Sequence, residues 1–91
     1  MSMKPAPAPR GPGEQWLEPD GIHIEVRGLS PPGPFVAIIR LIESLGEFTP
    51  VTVHHDREPA PLYAELAERG WLARRIDGEP GEFRLHLTKE S

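Results

Sequence analysis

The chain has 91 residues, of which 37% are hydrophobic and 26% are charged, a composition that supports one small folded domain and leaves no room for a second. Acidic residues outnumber basic residues 14 to 10, and the formal net charge of -4 disfavours a nucleic-acid partner, because the phosphate backbone requires a basic surface. The absence of cysteine excludes disulfides, thiolate nucleophiles and cysteine-based metal sites.

The N-terminal part of the chain is rich in proline, alanine and glycine. Such a segment buries too little apolar surface to offset the entropy lost on folding. We therefore expect a disordered tail over residues 1–16 and one folded domain over residues 17–91. No apolar run is long enough for a signal peptide or a membrane span, which predicts a cytoplasmic protein with no membrane partner.

Periodicity predicts the elements of the folded domain. Residues 22–27 and 51–54 alternate between apolar and polar side chains, as strands with one buried face do. Between them, apolar residues at helical spacing predict a helix that follows a proline-rich turn and ends at Gly46.

The C-terminal part of the chain predicts one more helix and two more strands. A short helix begins after the prolines at positions 59 and 61 and ends at Gly70. Residues 71–76 and 83–87 predict two strands, with the turn-forming residues 77–81 in the connection between them.

The element order β-α-β-α-β-β predicts an α+β fold, a two-layer α/β sandwich with a four-stranded mixed sheet and two helices on one face. A strand, a helix and a second strand form a right-handed unit with parallel strands, whereas the last two strands form an antiparallel hairpin. The predicted core consists of Ile22, Ile24, Val26, Phe35, Ile38, Ile39, Ile42, Val51, Val53, Leu62, Leu66, Phe83, Leu85 and Leu87. On the other face we expect an open, solvated surface formed by His23, Glu25, Arg27, Thr52, His54, Arg84 and His86.

The topology also predicts where a ligand binds. The first two strands are parallel, so their carboxyl ends and the loops that follow them lie on one edge of the sheet. Open α/β sheets bind ligands at such an edge. The candidate ligand-binding residues there are Arg27, Ser30, Gly33, His54, His55, Asp56 and Arg57.

Two segments at this edge carry a family resemblance. Residues 26–34, Val-Arg-Gly-Leu-Ser-Pro-Pro-Gly-Pro, resemble the Gly-Leu-x-Cys-Pro-x-Pro signature of the TusA and SirA sulfur-carrier proteins. Residues 55–63, His-Asp-Arg-Glu-Pro-Ala-Pro-Leu-Tyr, resemble the His-Asp-x-x-Pro-x-Pro-Leu pattern of a related branch of bacterial proteins of unknown function. The resemblance covers residues 22–87 and implies the same fold. Pro31 stands where the sulfur carriers have their persulfide-bearing cysteine, which implies that this chain is not a sulfurtransferase.

The polar residues at the edge suggest three kinds of chemistry. Ser30 near His54, His55 and Asp56 suggests a hydroxyl nucleophile with a base, but helix caps formed by Ser30 and Asp56 are the favoured interpretation. Without an oxyanion-hole motif we do not expect an enzyme. Backbone N–H groups at the start of the first helix, including that of Gly33, suggest an anion site supported by Arg27 and Arg57.

A metal site is the third possibility, since imidazole and carboxylate groups bind zinc or iron. Adjacent strand residues point to opposite faces, however, so His54 and His55 are not expected to bind one ion. His23 begins its strand and His54 ends the parallel neighbour, which predicts that they lie about 10 Å or more apart by strand rise. We therefore expect no metal or other cofactor.

These arguments predict a small binding or accessory module, with regulatory rather than catalytic function. Its partner is expected to be another polypeptide or a second copy of the chain, docked at the sheet edge or on the open face. The alternative is a metal-dependent, redox-associated protein that uses His54, His55 and Asp56.

Overall fold

The computed structural model describes residues 11–45 and 49–90 of the chain. Most of the predicted tail and the predicted helix stop at Gly46 lie outside the described residues. The described residues form two helices and five strands. In chain order these are β1 (Gln15–Glu18), β2 (Gly21–Glu25), α1 (Gly33–Ser44), β3 (Val51–His55), α2 (Ala60–Glu68), β4 (Trp71–Ile76) and β5 (Phe83–Lys89).

The strands form one mixed sheet in the order β1-β2-β3-β5-β4. Strands β2 and β3 are parallel, as the β-α-β unit predicts, and the other neighbouring pairs are antiparallel. The small α+β fold with a mixed sheet is confirmed. The prediction of four strands was wrong, because β1 adds a fifth at the sheet edge next to β2.

Strand β1 lies where the sequence favours a tail, since Gln15 and Trp16 belong to it. Its four residues carry no clear alternation, and Leu17 is 77% exposed. The strand exists because it pairs with β2, with Trp16 opposite His23. Its main contribution is to bring the Trp16 ring over the sheet face that carries His23.

The apolar core lies on one side of the sheet, where buried side chains of both helices join strand residues in a single cluster. The alternation of β2, β3 and β5 places Ile24, Val53 and Leu85 side by side across the sheet. Most of the predicted core is buried, three of its members are partly buried, and two buried residues were missed. The partly buried members are Ile22, Phe35 and Phe83, and the missed residues are Leu41 and Trp71.

The predicted helix caps were wrong. Helix α1 has Pro32 at its N-cap position and α2 has Pro59, and neither has a side-chain cap. Ser30 lies too far upstream, and its carbonyl oxygen accepts a hydrogen bond from the Gly33 N–H at 2.6 Å. Asp56 instead accepts a hydrogen bond from the Arg57 side chain. Prolines fix the start of both helices, so no polar cap is needed.

No helix among the described residues is long and apolar enough to cross a membrane.

Candidate functional site

The carboxyl edge of β2 and β3 carries an apolar groove between the amino-terminal ends of α1 and α2. Its volume is about 430 Å³, and five of its lining residues are prolines. The loop from β2 to α1 forms one wall, and the loop from β3 to α2 forms the other. The groove is lined by Leu29, Pro31, Pro32, Pro34, Phe35, His55, Asp56, Arg57, Glu58, Pro59, Pro61 and Leu62.

The prolines give the groove its chemistry. A proline has no backbone N–H, so these segments present ring carbons and few hydrogen-bond donors. Leu62 is fully buried at the start of α2, and Phe35 is partly buried in the first turn of α1. Charged side chains are confined to residues 56–58, which are exposed. The groove therefore suits an apolar group whose polar end remains near residues 56–58.

His55 lies on the groove side of β3 and is almost fully buried. Its Nδ1 atom accepts hydrogen bonds from the backbone N–H groups of Asp56, at 2.9 Å, and Arg57, at 3.3 Å. The same nitrogen lies 3.1 Å from Asp56 Oδ1. The ring thus holds the turn that leads out of β3.

Several groups of the predicted anion site have partners within the chain. The N–H groups of Gly33 and Val36 already donate to backbone carbonyls, at 2.6 and 3.0 Å. Arg27 binds both carboxylate oxygens of Glu25, and Arg57 donates to Asp56. Each arginine is therefore already paired with a carboxylate. Ser30 is exposed and does not line the groove.

A second cluster lies on the opposite face of the sheet, where the His54 side chain points. The rings of Trp16, His23 and His54 are in mutual contact, with Trp16 5.4 Å from His23 and 5.3 Å from His54 between centroids. His23 Nδ1 lies 2.8 Å from His54 Nε2. The prediction that these histidines lie about 10 Å or more apart was therefore wrong.

The strand register explains this error. His23 pairs with Thr52 and Glu25 pairs with His54, so the two histidines are offset by only two residues on neighbouring strands. Both side chains stand on the same face, and each ring extends several ångströms from its backbone. The rings therefore meet even though their backbone positions do not pair directly.

Each histidine of the pair is also bound to a carboxylate. His23 Nε2 lies 2.8 Å from Asp20 Oδ1, and His54 Nδ1 is hydrogen-bonded to Glu82 Oε2. Glu82 is buried and accepts two further hydrogen bonds from Arg84, at 3.0 and 2.8 Å, and one from the Glu79 N–H at 2.8 Å. Burial raises the pKa of Glu82, but the hydrogen bonds from Arg84, Glu79 and His54 outweigh it and lower that pKa to about 2.

The contacts from Asp20 through His23 and His54 to Glu82 form one continuous polar chain. Each ring has one nitrogen that faces a carboxylate and one that faces the other ring. Burial lowers the pKa of His54, which favours the neutral form of that ring.

This network corrects the expected open face. Glu25, Thr52 and His54 were predicted to be solvated, yet all three are buried. Sequence reasoning missed the groups that cover and satisfy them, because the predicted tail included Gln15 and Trp16 of β1 and Glu82 was assigned to no element. The only available signals were a tryptophan in a proline-rich segment and a glutamate directly before β5.

The two histidines that follow one another in β3 are thus separated by the sheet. His54 joins the polar network and His55 lines the groove, as the alternation of a strand predicts. Among the described residues, no group of three or more His, Cys, Asp or Glu side chains is placed to hold a metal ion.

Comparison with known proteins identifies a family. A family model described as an uncharacterized conserved protein, DUF2249, matches residues 23–89. The chain belongs to the DUF2249 family. The matched region contains both loops of the groove and the residues His23, His54 and Glu82, whereas Trp16 and Asp20 precede it. No curated protein matches the chain.

Proposed function

We propose that this DUF2249 chain is a binding module that receives an apolar segment of a partner polypeptide in the groove between α1 and α2. The observation that carries the proposal is the groove itself, with a volume of about 430 Å³ and a lining of prolines, Leu29, Phe35 and Leu62. Binding cavities for small groups span about 300–1,000 Å³. The groove is large enough for a few side chains and too small for a folded domain.

The energetics favour an apolar occupant. Burial of apolar surface contributes roughly 25 cal/mol per Å², and the proline rings offer few donors to a polar ligand. Asp56, Arg57 and Glu58 are exposed charged residues in the lining of the groove. Their side chains can exchange their present partners for the backbone amides of an extended segment.

The resemblance to sulfur carriers supports the same edge. Pro31 stands at the position of their reactive cysteine, and Pro31 lines the groove. With no cysteine in the sequence, persulfide transfer has no acceptor atom. We propose that this edge retains contact with a partner and has lost the sulfur chemistry.

The metal-dependent alternative at His54, His55 and Asp56 is less well supported. His54 and His55 lie on opposite faces, and both nitrogens of His54 already have partners. His55 Nδ1 is occupied by backbone N–H groups. An ion shared by these residues requires β3 to lose its strand conformation.

A matched pair of variants tests the groove. Pro61 and Ala64 are both exposed on α2, but only Pro61 lines the groove. Peptides selected from a random library on the wild-type protein are expected to be rich in apolar residues. Their affinity should fall at least tenfold for Pro61→Glu and remain unchanged for Ala64→Glu, measured by fluorescence anisotropy. Equal binding to both variants contradicts the proposal, and circular dichroism verifies that both are folded.

A further inference from the structure

The N-terminal segment, residues 1–10, is attached to the folded domain through a fixed turn. The segment itself lies outside the described residues, which begin at Gly11. The Gly11 N–H donates to Glu14 Oε1 at 2.6 Å, and the Gly11 carbonyl oxygen accepts a hydrogen bond from the Glu14 N–H at 3.0 Å. The Glu14 carbonyl oxygen accepts another from the Glu25 N–H at 2.9 Å, which ties the turn to the end of β2. The attachment point of the segment is therefore set by the sheet.

This attachment point is next to the groove. Pro12 packs so closely on Gly28 that a Cβ atom at Gly28 would lie 2.9 Å from the Pro12 Cγ atom. The residue after Gly28 is Leu29, which lines the groove. The N-terminal segment thus joins the domain beside the wall that the loop from β2 to α1 forms.

The composition of the segment suits the groove. Its sequence is Met-Ser-Met-Lys-Pro-Ala-Pro-Ala-Pro-Arg, in which prolines alternate with alanines over positions 5–9. Such a pattern favours the polyproline II conformation, so binding orders the backbone at a lower entropic cost. Proline-rich segments in this conformation bind apolar grooves with aromatic lining. Here Phe35 and five proline rings provide such a lining.

The charges of the segment and of the groove are also complementary. The charged side chains of residues 1–10 are both basic, Lys4 and Arg10. The charged part of the groove lining, residues 56–58, has two carboxylates and one guanidinium. Glu58 is exposed, and its side chain accepts a hydrogen bond from Tyr63 Oη at 3.3 Å. A carboxylate has several acceptor positions, so it can bind a basic side chain in addition.

We propose that residues 1–10 occupy the groove of their own chain and compete there with the partner segment. This inference rests on the proposed function, because it takes the groove to be a peptide-binding site. Ten residues in the polyproline II conformation span about 31 Å, and the groove lies over the ends of neighbouring strands about 4.8 Å apart, so the segment reaches it. A short tether gives an effective concentration in the millimolar range, at which a weak intrinsic affinity is sufficient. The apparent affinity for the partner falls with the fraction of groove that stays open.

A spin label tests this occupant, because the chain has no cysteine and Ser2→Cys introduces a single one. In the full chain with a nitroxide at this position, the amide signals of Arg57 and Leu62, on the wall away from the attachment point, should broaden. The signal of Thr88 should not, because β5 begins opposite the carboxyl end of β3 and Thr88 lies near its other end. Broadening that also occurs between labelled and isotope-enriched unlabelled chains would place the segment on a second copy and overturn the proposal.

The groove variants separate binding from the effect of the tether alone. In the labelled chain, Pro61→Glu should reduce the broadening at Arg57 by at least about half, whereas Ala64→Glu, outside the groove, should leave it unchanged. Equal broadening in the two folded variants overturns the inference. The measurement uses no partner peptide, so its result does not depend on the library selection.

Competition measures the consequence for the partner. The triple variant Pro5→Ser, Pro7→Ser, Pro9→Ser keeps the length and the basic side chains of the segment but removes its preference for polyproline II. Peptides selected on the wild type should bind this variant at least about threefold more tightly. Unchanged affinity overturns the inference, while the proposed function stands if Pro61→Glu still weakens the same peptides. Failure of the proposed function has a different signature, equal peptide binding to Pro61→Glu and Ala64→Glu.

Discussion

The central strand β3 is buried on both faces of the sheet, but by different means. On one face, Ile24, Val53 and Leu85 are covered by the apolar sides of two helices. On the other, Thr52 and His54 are covered by polar partners and by the Trp16 ring. The first face needs only shape and hydrophobicity, whereas every polar atom on the second needs a partner.

The described part of the chain meets that requirement in full, since no buried side-chain nitrogen or oxygen there lacks a hydrogen bond. A buried polar network fixes the register of its strands, because a shift of one residue breaks every bond in it. We infer that the apolar face supplies most of the stability and that the polar face defines a single arrangement of β1, β2, β3 and β5.

The largest effect is expected on the apolar face. Ile24 is completely buried, and Ile24→Ala removes its packing and leaves a cavity, which costs about 2–5 kcal/mol of unfolding free energy. Val36→Ala, at a position of α1 that is 38% exposed, is the control and should change stability by less than about 0.5 kcal/mol. Urea denaturation measures both. Equal effects of the two substitutions would show that Ile24 is not part of the core.

The next effect concerns the centre of the polar face. Glu82→Gln removes the carboxylate charge that is hydrogen-bonded to both Arg84 and His54, and it should cost about 1.5–3 kcal/mol of unfolding free energy. Glu79→Gln is the matched control, because Glu79 contributes its backbone N–H to this network and its side chain is exposed. Stability within about 0.5 kcal/mol is expected for the control in the same urea experiment. A neutral effect of Glu82→Gln would mean that the network does not contribute to stability.

A third substitution tests the hairpin that brings β1 to the polar face. Gly21 has a φ of +126°, and a Cβ atom there would lie 2.3 Å from the Pro50 carbonyl oxygen. Gly21→Ala should therefore cost about 1–3 kcal/mol from backbone strain and also displace β1. Gly70→Ala, with a φ of +79° and open space around it, carries strain without the contact.

Hydrogen exchange separates these two glycine variants. Amide protons of β1 should exchange faster in Gly21→Ala than in Gly70→Ala, because only the first substitution pushes the hairpin away from Pro50. If both variants protect β1 equally, the close approach of Gly21 to Pro50 does not hold the strand in place.

The apolar face could be predicted from the sequence, and the polar face could not. Helix α1 and the strands β2, β3 and β5 carry periodicities that result from burial against a continuous apolar layer, and these patterns are local. The parallel pair and the edge where the groove lies follow from topology. Of the seven candidate site residues, the structure brings His55, Asp56 and Arg57 together at the groove.

The contacts that the sequence did not predict depend on the register of the strands. A contact between His23 and His54 requires the observed offset between β2 and β3. The burial of Glu82 requires the residue before β5 to reach His54 on β3. Strand β1 has four residues and gains its stability from β2, so its own sequence has no periodic signal. A helix cap was predicted at Ser30, but the prolines fix the start of α1 without a side-chain cap.

The smallest effect is expected where the two kinds of burial meet, at Trp16. Its ring supplies an apolar cover to polar rings, lying 5.4 Å from His23 and 5.3 Å from His54 between centroids. Trp16→Leu keeps an apolar side chain but removes the ring contacts, which are worth about 0.5–1.5 kcal/mol beyond the buried area. Leu17→Ala, on the exposed side of the same strand, should change the urea midpoint very little. If Leu17→Ala loses as much stability as Trp16→Leu, β1 contributes through its backbone pairing with β2 and not through the Trp16 ring. If only Trp16→Leu loses stability, β1 contributes through the Trp16 ring, which covers the polar face.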